Sequence, residues 1–210
     1  MKIRIIVFSS FFIIVFALLY VFVISDWLEK TYSNANYCLS EEEKELLQSG
    51  DIILRKGYGF VSNRIIESLN DSLDISHCGI IVKTDTAWIV VHAIPGKYSI
   101  FSKQDGVIVS SLSKFVEDAQ PNSIIVTRLK REYLQPMERK ALFYAEQKTP
   151  FDYNFDLNDS TSLYCSELIL RILADEYEIT STMLDIKEKD TPPPFSVFLN
   201  PGLFEIIIGH

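Results

Sequence analysis

Residues 5–24, IIVFSSFFIIVFALLYVFVI, form one uncharged apolar run, and the groups of apolar residues that follow are all shorter. SEEEKELL predicts a short helix, with Ser40 as N-cap, acidic residues in the first turn and Gly50 as the stop. DIILR (51–55) is a brief apolar run of the kind a buried strand shows. In GFVSNRIIESLN, Val61, Ile65, Ile66 and Leu69 fall at helical spacing. SHCGIIVK (76–83) and AWIVVHAI (87–94) are rich in β-branched residues and are parted by a short polar turn, which predicts a hairpin. GVIVSSL, NSIIVTRL (122–129) and GLFEIII predict further strands. SKFVEDA and QPMERKALFYAEQK predict helices, the second with Pro136 in its first turn. FDYNFDLNDSTS reads as an aromatic, polar loop and DTPPPFS as a stiff one. Between them, Leu168, Ile169, Ile172 and Leu173 mark a helix. Short antiparallel strands with helices packed on them give an α+β class.

Twenty apolar residues are about enough to cross a bilayer as a helix. A cleavable signal would have a shorter core and a small-x-small cleavage site, and VISDWLEKTYS offers none. The reading is an uncleaved, single-pass anchor with Tyr20 and Trp27 near the interfaces. Lys2 and Arg4 precede it, while Asp26 and Glu29 with the lone Lys30 follow, so the domain is expected on the extracytoplasmic side. The expected division is an anchor at 1–26, a juxtamembrane segment and lead-in helix at 27–47, and one folded domain at 48–210.

A net charge of −8 with no Lys/Arg run argues against nucleic acid as a partner. Three cysteines, Cys38, Cys78 and Cys165, are too few for a disulfide-built domain. No C-x-x-C or H-E-x-x-H pattern signals a metal, and no cofactor motif occurs.

Cys165 sits where the apolar helical pattern begins, with Ser160, Thr161 and Ser162 as capping candidates. A helix N-terminus lowers a thiol pKa and offers unpaired N–H groups. Position alone leaves two readings open: a small buried core residue or a nucleophile. A nucleophile needs a base, and of three histidines His210 is terminal. His77 and His92 fall on the two hairpin strands. With a two-residue Thr84-Asp85 loop, or a four-residue loop in the same register, His77 stands directly opposite His92, the Cβ atoms about 5 Å apart. Alternation then places His77, Gly79, Ile81, Trp88, Val90 and His92 on one face and Cys78 on the other, as core. The helix of Cys165 is expected to pack on the histidine face.

The ordered set SGDIIL, ISHCGIIV, VHA, FDYNFD and LYCSELI resembles the YiiX/YebB-like permuted papain-fold cysteine hydrolases, relatives of NlpC-type peptidases and of lecithin:retinol acyltransferase. The resemblance spans roughly residues 48 to 175. It implies a circularly permuted papain-like fold, with Cys165 as nucleophile, His77 as base and His92 at the third polar position, where many YiiX-like members carry glutamate. Tyr164 matches a tyrosine common in that group and stands as a possible substrate or oxyanion neighbour. Asp51 and Tyr153 fall in matching motifs and read as structural. The activity implied is amide hydrolysis through a thioester, without metal or organic cofactor, on a peptide or peptidoglycan fragment. A lipid acyltransferase or thioesterase using the same Cys–His pair is the alternative, and a non-catalytic envelope binding module is the alternative from another class.

Overall fold

The computed structural model describes residues 13, 20, 37–69, 71–96, 104–130, 137–187 and 192–209. The expected anchor at 5–24 lies outside them except for Ile13 and Tyr20, as do Pro136 and His210. Among the described residues, no helix is long and apolar enough to cross a membrane.

The strands are β1 (Ile52–Arg55), β2 (His77–Lys83), β3 (Trp88–Ile94), β4 (Gly106–Ser111), β5 (Ile125–Leu129) and β6 (Phe204–Gly209). They form a six-stranded antiparallel sheet in the order β4-β3-β2-β1-β5-β6. The helices are α1 (Glu41–Leu46), α2 (Gly59–Leu69), α3 (Leu112–Glu117), α4 (Met137–Glu146) and α5 (Cys165–Tyr177). The stiff Pro-rich loop runs into a 3-10 helix, Phe195–Leu199, which the hydrophobic pattern did not show.

β1 is apolar over Ile52, Ile53 and Leu54 because it is central and covered on both sides. Ile52 and Leu54 face one core layer and Ile53 the other, all fully buried. Its start is pinned by two devices. Gly50 adopts φ +92°, a region glycine enters without penalty, and its N–H reaches Ile81 O at 2.8 Å. Asp51 closes the turn by accepting the Gln48 N–H at 2.8 Å, and takes a two-point ion pair from Arg128 at 2.7 and 2.9 Å.

Each face of the sheet carries its own layer. On one, α5 lays Leu168, Ile169, Ile172 and Leu173 against Ile52, Leu54, Cys78, Ile80, Val82, Val91 and Ala93. Burying each such aliphatic side chain contributes roughly 1.5–3 kcal/mol, so packing rather than intrinsic propensity holds α5 in place. On the other face, Leu112, Phe115 and Val116 of α3 meet Ile53, Ile81, Val90 and Val126.

The hairpin corrects the expected register. Lys83 pairs with Trp88 and Ile80 with Val91, enclosing the loop Thr84–Ala87, which is closed by Thr84 N–H to Ala87 O at 2.9 Å. Continued by one pair, this sets Gly79, not His77, against His92. A side-chain period of two keeps both histidines on one face despite the two-residue shift. Gly79 is required there: a Cβ would lie 2.5 Å from Val90 Cγ1, 2.9 Å from Val91 O and 3.1 Å from His92 Cβ.

Candidate active site

Cys165 is the first residue of α5. Tyr164, extended at φ −91° and ψ 175°, is the N-cap, and Glu167 Oε2 accepts its N–H at 3.3 Å. Thr161 and Ser162, expected to cap the helix, do another job. Thr161 Oγ1 and Ser162 Oγ donate to Asp159 at 2.7 and 2.6 Å, folding the preceding loop on itself. Leu163 N–H then ties the chain to Pro150 O at 2.9 Å, and this aims α5.

The expectation that α5 covers the histidine face is overturned. Its apolar stripe packs on the face of Cys78, which is fully buried, and Cys165 packs at the edge of that layer. Cys165 itself is half-buried. The Cys78 thiol and the backbone N–H of Ser166 lower the Cys165 pKa, whereas burial and the facing Cys165 sulfur push Cys78 up. Of two neighbouring thiols, the one at the helix N-terminus therefore ionises first.

The two histidines meet on the other face. His77 Nε2 lies 2.8 Å from His92 Nδ1, with ring centroids 5.0 Å apart and planes at 76°. His92 Nε2 in turn lies 2.8 Å from Ser110 Oγ on β4. Phe115 stacks on His77, centroids 5.6 Å apart, and meets His92 edge-on at 5.2 Å. Burial first, then the neighbouring Arg55 charge, holds His77 well below the usual imidazole range and pushes His92 down to about 3. Both rings are neutral near pH 7.

His77 opens β2, where the sheet ends, and this lets it belong to both layers. Its ring touches Phe115 of one layer and borders a cavity of about 370 Å³ that Cys165 also lines. Val61, Ile65 and Leu69 of α2, with Phe151, Phe155 and Phe195, make that cavity mainly apolar. Tyr164 lines it too, and its buried hydroxyl has no hydrogen-bond partner among the described residues. A second cavity, about 210 Å³ beside Glu167 and Arg171, contains neither Cys165 nor a histidine. Burial raises Glu167 to about 7 against the opposing pull of Arg171.

The structure thus brings His77 and Cys165 to one cavity, places His92 behind His77, and sets Tyr164 at its wall. Sequence reasoning missed Ser110 and Arg55. Both lie on strands whose pairing partners no local pattern reveals. Among the described residues, no three His, Cys, Asp or Glu side chains are grouped so as to hold a metal ion.

A cysteine opening a helix, laid against an antiparallel sheet whose preceding strands carry the histidines, defines a papain-like enzyme in permuted order. The chain belongs to the permuted papain-like amidase enzymes of the YaeF/YiiX, C92 family, whose profile matches residues 46–193. Among solved structures it is similar to the metalloprotein yiiX from Escherichia coli O157:H7, at 16% identity and a TM-score of 0.57, over 78% of this chain and 97% of that one. A comparison with curated proteins finds no match.

Proposed function

We propose that this chain is a cysteine hydrolase that cleaves an amide or ester bond through a thioester on Cys165. The observation that carries the reading is the shared cavity: the low-pKa thiol and a histidine backed by a second histidine border one apolar space. His77 Nε2 is engaged with His92, which leaves Nδ1 as the nitrogen to serve Cys165. One tautomer set makes this a base. His77 Nε2–H donates to His92 Nδ1, and His92 Nε2–H donates to Ser110 Oγ. His77 Nδ1 then carries a free lone pair.

His77 takes the Cys165 proton, Sγ bonds to the carbonyl carbon, and the carbonyl oxygen becomes an oxyanion. The first-turn N–H groups of α5 are without intrahelical partners and stabilise that charge, with the Tyr164 hydroxyl as a further donor. As the C–N or C–O bond breaks, His77 returns the proton to the leaving group. Water, deprotonated by His77, then attacks the thioester, releasing a carboxylic acid and the free thiol. The cavity walls favour an apolar acyl group on the substrate, whether it comes from a lipid or from a peptide with an apolar side chain. Residues 5–24 would anchor the domain outside the cytoplasm, within reach of membrane and cell-wall acyl compounds.

The test is turnover of a panel of acyl amides and esters that runs from acetyl and alanyl to medium-chain acyl, alongside muropeptide digests. Turnover rising with acyl length and lost in Cys165→Ala is expected. Cleavage confined to muropeptides would restore the polar-peptide substrate, and no turnover of any member would favour a binding module. Transfer of the acyl group to a lipid acceptor in place of water would identify the acyltransferase alternative.

A further inference from the structure

A surface helix turns its apolar residues inward and its polar residues to solvent. The first turn of α2 does the reverse. The buried residues of α2 are Gly59 and Ser62. The Ser62 hydroxyl donates to Gly57 O at 2.9 Å and lies 2.6 Å from the hydroxyl of Ser76, the residue before His77. Phe60 and Val61, by contrast, are 54% and 56% exposed. Val61 also lines the cavity of Cys165 and His77, so it stands at the mouth. Phe155 holds the same kind of position. It lines that cavity, is 40% exposed, and sets its ring 5.3 Å from the ring of Tyr164. Its φ of +55° is one that a bulky residue adopts at a cost. The two charges of α2, Arg64 and Glu67, bind each other at 2.6 Å. The mouth is therefore rimmed by exposed apolar side chains that continue the apolar wall inside, a feature that marks an interaction surface.

Two observations say what covers this rim. The cavity behind it favours an apolar acyl group, and acyl chains of a size to fill it reside in bilayers rather than in water. The chain also brings a bilayer within reach. Twelve residues, 25–36, part the apolar run at 5–24 from Tyr37, a span of about 40 Å at full extension. We propose that Phe60, Val61 and Phe155 form a membrane-docking rim, which lays the mouth of the cavity on the lipid surface so that an acyl lipid enters without crossing water. The inference rests on the reading of residues 5–24 as an anchor and of the cavity as an acyl site. A tether by itself fixes distance and not pose. Apolar side chains beside the opening, seated at the boundary of headgroups and acyl chains, fix the pose as well. This commits the substrate to a lipid source in place of a soluble peptide.

The experiment is quenching of tryptophan fluorescence in the full chain, reconstituted in vesicles of phosphatidylethanolamine and phosphatidylglycerol in equal parts with brominated acyl chains. Trp27→Phe removes the tryptophan beside the apolar run and leaves Trp88 as the reference. Trp88 opens β3, whereas Ala93 near the other end of that strand lines the cavity. The length of the strand sets Trp88 about 20 Å from that end. A tryptophan added by Phe60→Trp, or separately by Phe155→Trp, is expected to be quenched several-fold more strongly than Trp88. Equal quenching of all three positions overturns the proposal, because the domain then meets lipid without a preferred pose. Absence of quenching at 60 and 155 also overturns it, and a blue shift there without quenching would identify protein, a second copy or a partner, as the cover. Should Phe155→Trp fail to fold, Phe60→Trp on the exposed first turn decides alone. A chain that stays in solution overturns the anchor and the docking together. None of these readings needs turnover, so a chain that docks and hydrolyses nothing overturns the hydrolase reading alone. Where turnover is found, Phe60→Asp should lower it several-fold on a medium-chain acyl ester carried in the vesicles and leave it unchanged on a water-soluble short-chain ester. Equal loss on both esters would overturn the docking role of Phe60.

Discussion

The two faces of the sheet are built on different chemistry. Under α5 the layer is apolar, and the Cys165 thiol stands at its margin beside the Cys78 thiol. Under α3 the apolar layer ends in a polar cluster, Arg55, His77, His92 and Ser110, gathered round the ring of Phe115. The first layer sets a sulfur at a helix N-terminus, and the second gathers a cation and two imidazoles. His77, at the end of its strand, stacks on Phe115 and lines the cavity that Cys165 also lines. The difference shows that the site is a seam between two cores rather than a feature of one.

Removing the contribution of the α5 layer gives the largest effect. Cys165→Ala is expected to abolish turnover, a loss on the order of 10⁶-fold if the nucleophile is as essential as in other covalent hydrolases. The melting temperature should barely move, because a half-buried thiol contributes little packing. Steady-state kinetics and calorimetry on the same sample check both halves. If turnover survives, the comparison collapses.

Next comes the polar layer. His77→Ala should cost roughly 10²–10⁴-fold in kcat, the usual range for a general base. His92→Ala should cost less than His77→Ala, since His92 acts through the first ring. Equal losses would mean that the two rings work as one unit, and a larger loss for His92 would reverse their roles.

The neutral histidines also make a statement about pH. Their folded pKa values lie below the unfolded value of about 6.5, so the unfolded chain binds more protons as pH falls. Stability should therefore be lost progressively from about pH 6.5 down towards the folded value of about 3 for His92, by a few kcal/mol in all. Urea unfolding at stepped pH measures it, and His92→Phe should flatten the curve. Gly79→Ala tests the same layer by steric means. The added methyl group meets Val90 and the Val91 carbonyl, and overpacking of this kind costs about 1–3 kcal/mol. The smallest effect belongs to the far side of α5. Glu167, raised to about 7, holds its proton in the fold above the unfolded value, so stability falls as pH rises from about 4.5 to 7. Glu167→Gln should remove that slope, with a net change below about 1 kcal/mol because one amide oxygen replaces the two carboxyl oxygens that accept from Tyr164 and Arg171.

What could be read beforehand was local. Ser40 caps α1 in a reciprocal box with Glu43, as its spacing with the acidic turn indicated. The aliphatic stripe of α5 lay at positions read from periodicity, and both histidines were placed on one face because alternation survives a two-residue slip. What could not be read was relational. The loop Thr84–Ala87 carries no Asn-Gly signal to fix the register. A stripe on α5 says that a face is buried, not which side of the sheet buries it, so Cys165 was placed on the wrong side. Arg55 meets His77 only because β1 pairs with β2, and nothing in IILR announces its neighbour. Ser162 looked like a cap, yet its hydroxyl was claimed by Asp159, and a glutamate three residues into the helix took over the N-cap N–H.

The division of the site has a temporal consequence. His77 and His92 lie 15 residues apart on one hairpin, so their contact closes early and locally as the chain folds. Cys165 comes from a distant part of the sequence and joins them through the docking of α5 on the opposite side. On the proposed reading, reactivity requires both halves to be closed, and a half-made molecule carries its nucleophile without its base. Such an order works as a safety catch: the enzyme arms itself by finishing.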